Sequence, residues 1–492
     1  MPLTKTDFMS GAQCHKLLWW RRHEPDAVEL QPNKVLEDLF DQGNLVGALA
    51  RERFPGGVLI PYARSRAERA RLTADAVAAG AMVIFEASFQ VDEIFVACDV
   101  IVRDATGWRL FEVKSSSKQK PEHIPDLAIQ AYVLEQSGLT LTRIAVMHLN
   151  ADFRHPGTGD LFASTDVTDA VRERMVTVAE EAERQLRMLK GPVPDVPIGA
   201  NCADPWDCVF RERCWPQEDG HIGMLYNVGA KRAAQYMAKG VHFIDHIPKD
   251  AKLPFAAQRQ RRSLAGEPLI VEPTLADALE PFDVEPLGFL DFETISRAVP
   301  VWDAMGPWGM AAAQFSYHEA LPNGAHRHVE HLAEGPQDAR PLVAERLIEA
   351  TRHAKKIVTY SSFEKTRIRD LAAQVPALAH DLKALEAKLV DLLPVVREHV
   401  YHRAFRGSFS LKGVLPALVP DMTYHDLVIV DGRVASVEIA RLLFVADRIP
   451  LEERDRVRRD LLEYCKRDTW AMVRLLQELR LLAGRGRPTG PA

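Results

Sequence analysis

Residues 85–114 read FEASFQVDEIFVACDVIVRDATGWRLFEVK, and the fold of the first half of the chain turns on this stretch. Apolar residues alternate or run together in three short pieces, separated by VDE and DATG. That is the pattern of consecutive strands joined by tight turns. Asp99 ends one apolar run, and Glu112 and Lys114 flank Val113 at the end of the next. Side chains two apart on a strand share a face, so Glu112 and Lys114 project together, and a neighbouring strand can bring Asp99 beside them. Two converging carboxylates would bind a divalent cation, and a lysine beside them can orient a water or stabilise charge at phosphorus. A surface acid–base pair on an exposed strand would have the same spelling, so the triplet takes its meaning from what surrounds it.

Downstream, SSSKQKPEHIPDLAIQAYVLEQSG is a basic, polar loop leading into an amphipathic helix with Asp126 and Gln130 one turn apart. The six cysteines frame this core unevenly. Cys98 and Cys465 sit in apolar strand-like and helical patterns and read as small buried hydrophobes. Cys14 precedes the core, and NCADPWDCVFRERCWP (201–216) follows it with Cys202, Cys208 and Cys214 at equal intervals. Four soft ligands suit zinc or an iron–sulfur cluster. Zinc sites usually draw on tight CxxC pairs, whereas here five residues separate neighbours and one ligand is remote. Four unrelated cysteines are the plain alternative.

Together these residues resemble the RecB-type branch of the PD-(D/E)xK nucleases, where a core Asp, a Glu-x-Lys and a downstream Gln define a metal site. The iron–sulfur subset of that branch, which includes CRISPR-associated RecB-like nucleases and the AddB nuclease domain, places one cysteine before the core and three after it. The resemblance covers roughly residues 1–216 and implies catalytic roles for Asp99, Glu112, Lys114 and Gln130, with metal on Asp99 and Glu112. It also implies a [4Fe-4S] cluster on Cys14, Cys202, Cys208 and Cys214. The family commonly spaces its helix tyrosine further along than Tyr132, which receives no role. Glu86, Lys118 and His123 read as solvated or supporting side chains.

At 492 residues the chain is too long for one hydrophobic core, and two or more domains are expected. Its hydrophobic fraction of 47% and charged fraction of 26% are those of an ordinary globular protein. No apolar run is long enough to cross a bilayer, and MPLTKTDFMSGAQC lacks the features of a signal peptide. A cytoplasmic setting, where thiols stay reduced, follows as the expectation. Net charge of −6 gives no global attraction to a polyanion, so any nucleic-acid surface has to be local.

Past the cysteines, MLYNVGAKRAAQYMAKGVHFIDHIP reads as two helices around a VGAKRA turn, similar to a helix–hairpin–helix element, with a helical linker as the alternative. QRQRRSLAGEP reads as a basic linker. The second half opens with EPLGFLDFETISRAVPVW, where Asp291 and Glu293 lie two apart on one strand face. Two further strands, MAAAQFSYHEA and HRHVEHLAEG, complete a meander around the LPNGA turn; a helix (RPLVAERLIEATRH), a strand (KKIVTY) and a helix capped by Ser362 follow. Glu364 lies at that last junction. In RDRVRRDLLEYCKRDTWAMVRLLQEL, Tyr464 and Asp468 are one turn apart on the same helix face.

The order Asp291, Glu293, Glu364, Asp468, with a tyrosine one turn before the last, resembles the tyrosine-bearing DEDD exonucleases of the RNase H-like superfamily over roughly residues 285–482. The resemblance implies that Asp291, Glu293 and Asp468 hold Mg²⁺ or Mn²⁺ and that Tyr464 orients the attacking water. Where the family has an Asp at the second motif, this chain has Glu364. Asp391 resembles the acid that follows the second motif in related exonucleases and reads as a loop-fixing acid, with a fourth metal-proximal group as the alternative; Lys412 and Arg406 read as phosphate contacts, and Phe405 and Phe409 equally as stacking platforms or core.

The expected organisation is therefore α/β throughout: a RecB-like domain at 1–216, a hairpin segment at 217–284, an RNase H-like domain at 285–482 and a disordered tail at 483–492. The whole resembles an uncharacterised bacterial family with that fusion. Two functions compete: a metal-dependent nuclease with two phosphodiester-cleaving sites acting on DNA ends or single strands, or a nucleic-acid-binding scaffold in which one domain has lost catalysis. DNA is expected over RNA as partner, and a zinc or redox protein is a third, weaker option.

Overall fold

The computed structural model describes residues 2–62 and 64–484, so the expected tail lies, from 485 onward, outside the described residues. The chain is mixed α/β and divides into two compact units. One comprises Met1–Trp215 with Arg297–Trp308, the other Pro216–Ser296 with Gly309–Ala492. Residues 216–284 therefore belong with the second sheet rather than standing alone.

The first unit runs β1 (Leu3–Thr4), α1 (Lys5–Gln13), α2 (His15–His23), α3 (Lys34–Arg51), β2 (Val58–Leu59), α4 (Arg66–Ala78), β3 (Val83–Val91), β4 (Ile94–Arg103), β5 (Trp108–Lys114), α5 (His123–Gln136), β6 (Leu141–Leu149), β7 (Phe162–Asp166), α6 (Thr168–Met175), α7 (Val178–Leu189) and α8 (Arg211–Cys214). The three strands expected over 85–114 are present as β3–β5, antiparallel neighbours in a sheet of order β2-β3-β4-β5-β6-β7. Asp104 makes the β4–β5 turn by accepting the N–H groups of Thr106 and Gly107 on Oδ1, the local bond for which Asp favours turns. β5 and β6 are parallel, which requires a crossover, and α5 supplies it. The two residues of β1 pair in parallel with the start of β4, beyond the reach of β5. Cys98, in β4, is fully buried, as its apolar surroundings predict.

The loop Arg297–Trp308 packs as part of this unit. Gln42 accepts from the Ala298 N–H, Arg297 pairs with Asp38 at 2.6 Å, and Ala298, Val299 and Trp308 pack with Val46, Ala50 and Leu149. Nothing in the AVPVW spelling marks a loop that leaves its own sheet.

The second unit runs α9 (Gly229–Met237), α10 (Phe255–Leu264), β8 (Leu269–Val271), α11 (Leu275–Ala278), β9 (Leu287–Ser296), β10 (Met310–Ala320), β11 (His326–Leu332), α12 (Arg340–Thr351), β12 (Lys356–Thr359), α13 (Phe363–Gln374), α14 (Ala379–Glu386), β13 (Leu389–Asp391), α15 (Leu393–His399), β14 (Val400–His402), α16 (Leu411–Leu418), α17 (Gly432–Phe444) and α18 (Leu451–Leu482). Its main sheet has the order β11-β10-β9-β12-β13, with antiparallel pairing on one side of β9 and parallel pairing on the other. The central strand β9 is buried along nearly its whole length, which is why LGFLDFETI reads as a continuous apolar run broken by acids. α17 and α18 both pack on β9.

Two local readings are corrected here. The expected hairpin is a single helix, α9, which VGAKRA opens rather than interrupts, flanked by 3-10 turns at Ile222–Met224 and Ile244–His246. The expected linker QRQRRSL is α10, with Arg259, Gln260 and Ser263 buried. Its polar side chains are used inward: Gln260 accepts from Tyr226 N–H and donates to the Met224 carbonyl, and Arg259 lies 3.6 Å from Glu272. Composition alone reads such a helix as solvated.

Two candidate acidic sites and a cysteine-lined cavity

In the first unit, β4, β5 and α5 bring Asp99, Glu112, Lys114, Asp126 and Gln130 together. Asp99 Oδ2 accepts from the Val113 N–H at 2.7 Å, which ties the two strands at the site. Lys114 Nζ lies 2.8 Å from Glu112 Oε1 and 2.7 Å from Asp126 Oδ2. Gln130, fully buried, donates to Glu112 Oε2 at 2.8 Å. Sequence reasoning missed Lys5, whose Nζ reaches Glu112 Oε1 at 2.7 Å and Asp126 Oδ1 at 3.3 Å. The Thr4–Asp7 capping box marks where α1 starts, but nothing local tells where Lys5 ends up.

Burial alone would raise Glu112, yet Lys114 and Lys5 overcome it and hold this carboxyl well below its ordinary value. Asp99 goes the other way, pushed up to about 7 by burial and by the charge of Glu112. Lys5 stays protonated: burial opposes its charge, but Asp126 and Glu112 outweigh it. Glu86 sits at an irregularity of β3 with φ +56° and is raised by burial, with Glu112 and Lys5 within electrostatic reach. His123 begins α5, accepts from the Lys120 N–H and is lowered to about 4 by burial and Lys114.

In the second unit, β9 carries Asp291 and Glu293 on one face and α18 carries Asp468. One carboxylate oxygen from each lies within 4.8 Å of the others, the one such group among the described residues. The β9–β10 register slips at Ala313, opposite Glu293, a bulge beside the acidic site of the kind that re-aims side chains. The start of α17 comes close enough that a Cβ on Gly432 would lie 3.3 Å from Glu293 Oε2. Tyr464, one turn before Asp468, receives a 2.7 Å hydrogen bond from Lys412 Nζ. Lys412 is thus beside the acids, where phosphate contact alone was expected. Tyr424, in DMTYHDL, was missed; its hydroxyl donates to Asp468 Oδ1.

All four acids of this site are pushed up. For Asp291 the causes are burial and then the charges of Asp468, Glu293 and Glu364; for Glu293, burial and Asp468. Asp468 is raised by burial against the pull of Lys412 and the two tyrosines. Glu364, buried, reaches about 8 through burial and the nearby Asp391 and Asp468, and its Oε2 has no hydrogen-bond partner. Ser362 is the N-cap of α13, as expected, but its side chain makes no cap bond; instead Ser361 Oγ accepts from the Phe363 N–H, with Ser361 itself at φ +141° beside the acids. Asp391 fixes this loop as expected, accepting the N–H groups of Leu393 and Ser361. An open cavity of roughly 490 Å³ adjoins Asp291 and Asp468, walled by Tyr226, Tyr360, Phe409, Lys412, Arg397 and Met472 among others. Phe405 and Phe409 are buried in an aromatic cluster with Tyr401, which makes Phe405 core, while Phe409 also lines the cavity. Arg406 is tied to the Gln217 carbonyl.

Cys14, Cys202, Cys208 and Cys214 all line one small cavity of the first unit, with Lys16 and Arg211 in its wall and Leu17, Trp20 and Val196 supplying apolar surface. All four are free thiols. Burial and, after it, the neighbouring Cys14, Cys202 and Cys214 push Cys208 up to about 11. No three of these sulfurs gather within the 4.8 Å that unites the acidic trio.

A family model described as a domain of unknown function, DUF2779, matches residues 288–410. That span holds Asp291, Glu293 and Glu364 and ends before Lys412, Tyr464 and Asp468. No curated protein matches the chain. No helix among the described residues is long and apolar enough to cross a membrane.

Proposed function

We propose that the protein is a divalent-metal-dependent nuclease with two phosphodiester-cleaving sites, acting on DNA ends or single strands in repair or defence from a cytoplasmic setting. The observation that carries this reading is the convergence of Asp291, Glu293 and Asp468 on one point beside an open cavity. Hard oxygen donors at that separation fit Mg²⁺ or Mn²⁺. Support also comes from the order β11-β10-β9-β12-β13 with β10 antiparallel, which agrees with an RNase H-like arrangement, and from Asp99, Glu112, Lys114 and Gln130 meeting as a PD-(D/E)xK site requires. When bound, such ions supply a water of lowered pKa and neutralise charge at phosphorus. The chain's own contribution is to position: Tyr464 and Lys412 present hydroxyl and ammonium beside Asp468, and Lys114 holds Glu112 and Asp126.

The cysteine cavity fits a thiolate-bound cluster, with four free thiols, apolar walls and two nearby cations. The wide sequence spacing of the thiols, without the tight CxxC pairs on which zinc sites usually draw, favours a [4Fe-4S] cluster over zinc. In this reading the group staples the ends of the first unit.

Incubating anaerobically purified protein with labelled single- and double-stranded DNA and RNA and Mn²⁺ tests the proposal. Lys114→Ala and Asp291→Ala should each remove one component of cleavage by about 10²-fold or more. Cleavage unchanged in both variants would sink both site assignments. Binding without cleavage would favour a scaffold, a reading that Glu364 keeps open because its unpartnered Oε2 stands where the family has a shorter acid.

A further inference from the structure

Helix α1 joins two features of the first unit that the sequence keeps apart. At its N-terminal end, Lys5 sits on Glu112 and Asp126. At its C-terminal end, Cys14 closes the helix with its N–H on the Ser10 carbonyl, and Gln13 Nε2 donates to the carbonyls of Asn201 (2.9 Å) and Trp206 (2.7 Å), which bracket Cys202. Between these ends the helix is held as one body. Its first turn is locked by the Thr4–Asp7 capping box and by Arg22 on Asp7 at 2.9 Å. Gln185 Nε2 donates to the Phe8 carbonyl, and Gly11 lies so close to the Gln185 amide that a Cβ there would approach it to 2.3 Å.

Building on the metal-site reading of the first unit, we propose that Lys5 is the resident counter-cation of Glu112 and Asp126, which a divalent ion has to displace, and that α1 makes its hold conditional on the cysteine loop. Glu112 Oε1 already accepts from Lys5 and Lys114, and Oε2 accepts from Gln130. An arriving cation therefore meets an occupied carboxylate. Lys114 shares β5 with Glu112 and stays within reach of it, whereas Lys5 comes from a separate element, the first residue of α1, and its side chain can swing off the carboxylates. A shift of the loop around Cys202 pulls on Gln13 and Cys14, and a helix transmits that pull to Lys5.

The test uses the full chain, purified anaerobically, carrying Asp291→Asn and Asp468→Asn so that Mn²⁺ binding reports on the first unit. Calorimetric titration should show Lys5→Met binding Mn²⁺ about tenfold more tightly than its parent, within the usual range of coupling between sites. Lys5→Arg, which keeps the charge, should bind like the parent and guards against a folding defect in the Met variant. Gln13→Leu should also tighten binding, by a smaller factor, and add nothing in the Lys5→Met chain. Unchanged or weaker binding in Lys5→Met overturns the counter-cation role, and a Gln13→Leu effect that adds fully to Lys5→Met overturns the coupling. Absence of Mn²⁺ binding in parent and variants alike removes the metal reading itself, and this proposal with it.

Discussion

The two acidic sites are built from the same residue types and neutralised in opposite ways. In the first unit Glu112 and Asp126 are shared between two ammonium groups at 2.7–3.3 Å. In the second, Asp291, Glu293, Glu364 and Asp468 crowd together, and the cation that acts on Glu293 and Asp468 is Lys412, which is already bonded to Tyr464 and the Val430 carbonyl. Burial pushes Glu112 up as it does Asp291, Glu293, Glu364 and Asp468, so burial does not separate these groups; the neighbouring charge does. Glu112 ends below its ordinary range, while Asp291, Glu293 and Glu364 end above theirs. The first site is a completed ion-pair network. The second carries an excess of negative charge that a divalent cation would relieve.

The largest expected effect concerns what each site depends on. A metal group held by four thiols contributes folding free energy outright, on the order of 10 kcal/mol for small structural sites. Cys208→Ala should therefore abolish visible iron–sulfur absorbance and collapse amide protection across β3–β6, while leaving β9–β12 protected in hydrogen exchange. A colourless, fully protected and active Cys208→Ala protein would refute the staple.

Neutralising one acid in each site comes next, and the signs should differ. Glu112→Gln leaves Lys5 and Lys114 beside a neutral amide and should cost about 3 kcal/mol, the usual result of breaking one side of a buried pair. Asp291→Asn removes one repelling charge from its cluster and should raise the metal-free unfolding midpoint. Urea unfolding of both variants without divalent ions decides it, and shifts of the same sign would break the contrast between the sites.

What was legible in the sequence follows from the range of the signals. Asp99, Glu112, Lys114 and Gln130 could be placed because strand period two and helix spacing of four act over a few residues, and the same holds for Asp291 with Glu293 and Tyr464 with Asp468. Lys5 was invisible because its partner lies 107 residues away and no periodicity spans that gap. Tyr424 was missed for the same reason, 44 residues before Asp468. QRQRRSL was misread because buried polar side chains look the same as solvated ones until their partners are known, and Arg297–Trp308 because membership of a unit remote in sequence has no local spelling.

The contrast sharpens further with pH. Glu364 rises from an ordinary 4.5 to about 8 on folding, so the folded state binds the proton more tightly than the unfolded chain. For such an acid the stabilisation is fully present below about pH 4.5 and is lost as pH rises through about 8. Glu112, held low, has the opposite sign: its contribution is present above about 4.5 and lost as pH falls further. Metal-free protein should accordingly lose midpoint between pH 5 and 8.5, and Glu364→Gln should flatten that slope. If the acids hold metal as proposed, saturating Mn²⁺ should stabilise increasingly over the same window, because the deprotonated acids would be its ligands. A slope unaffected by Glu364→Gln would remove this acid from the cluster's titration.

The smallest effect separates the two tyrosines of the second site. Tyr424 donates directly to Asp468, and its ring faces Lys412 at 5.0 Å; Tyr464 accepts from Lys412, which lies 4.4 Å from its ring centre. Both hydroxyls act on Asp468, but Tyr464 is also bound to an ammonium; on the nuclease reading Tyr424 would hold a metal ligand and Tyr464 would act on a water. Tyr424→Phe deletes one hydrogen bond to a charged group, worth about 1.5 kcal/mol, and should weaken Mn²⁺ binding by roughly tenfold. Tyr464→Phe should leave Mn²⁺ affinity within about twofold and lower the cleavage rate at saturating metal by 10- to 100-fold, a proton-handling effect rather than a binding one. Measured side by side, the two variants distinguish holding from acting. If both change metal affinity equally and neither changes the rate at saturation, Tyr464 is a structural partner of Lys412 and the site has no tyrosine in its chemistry.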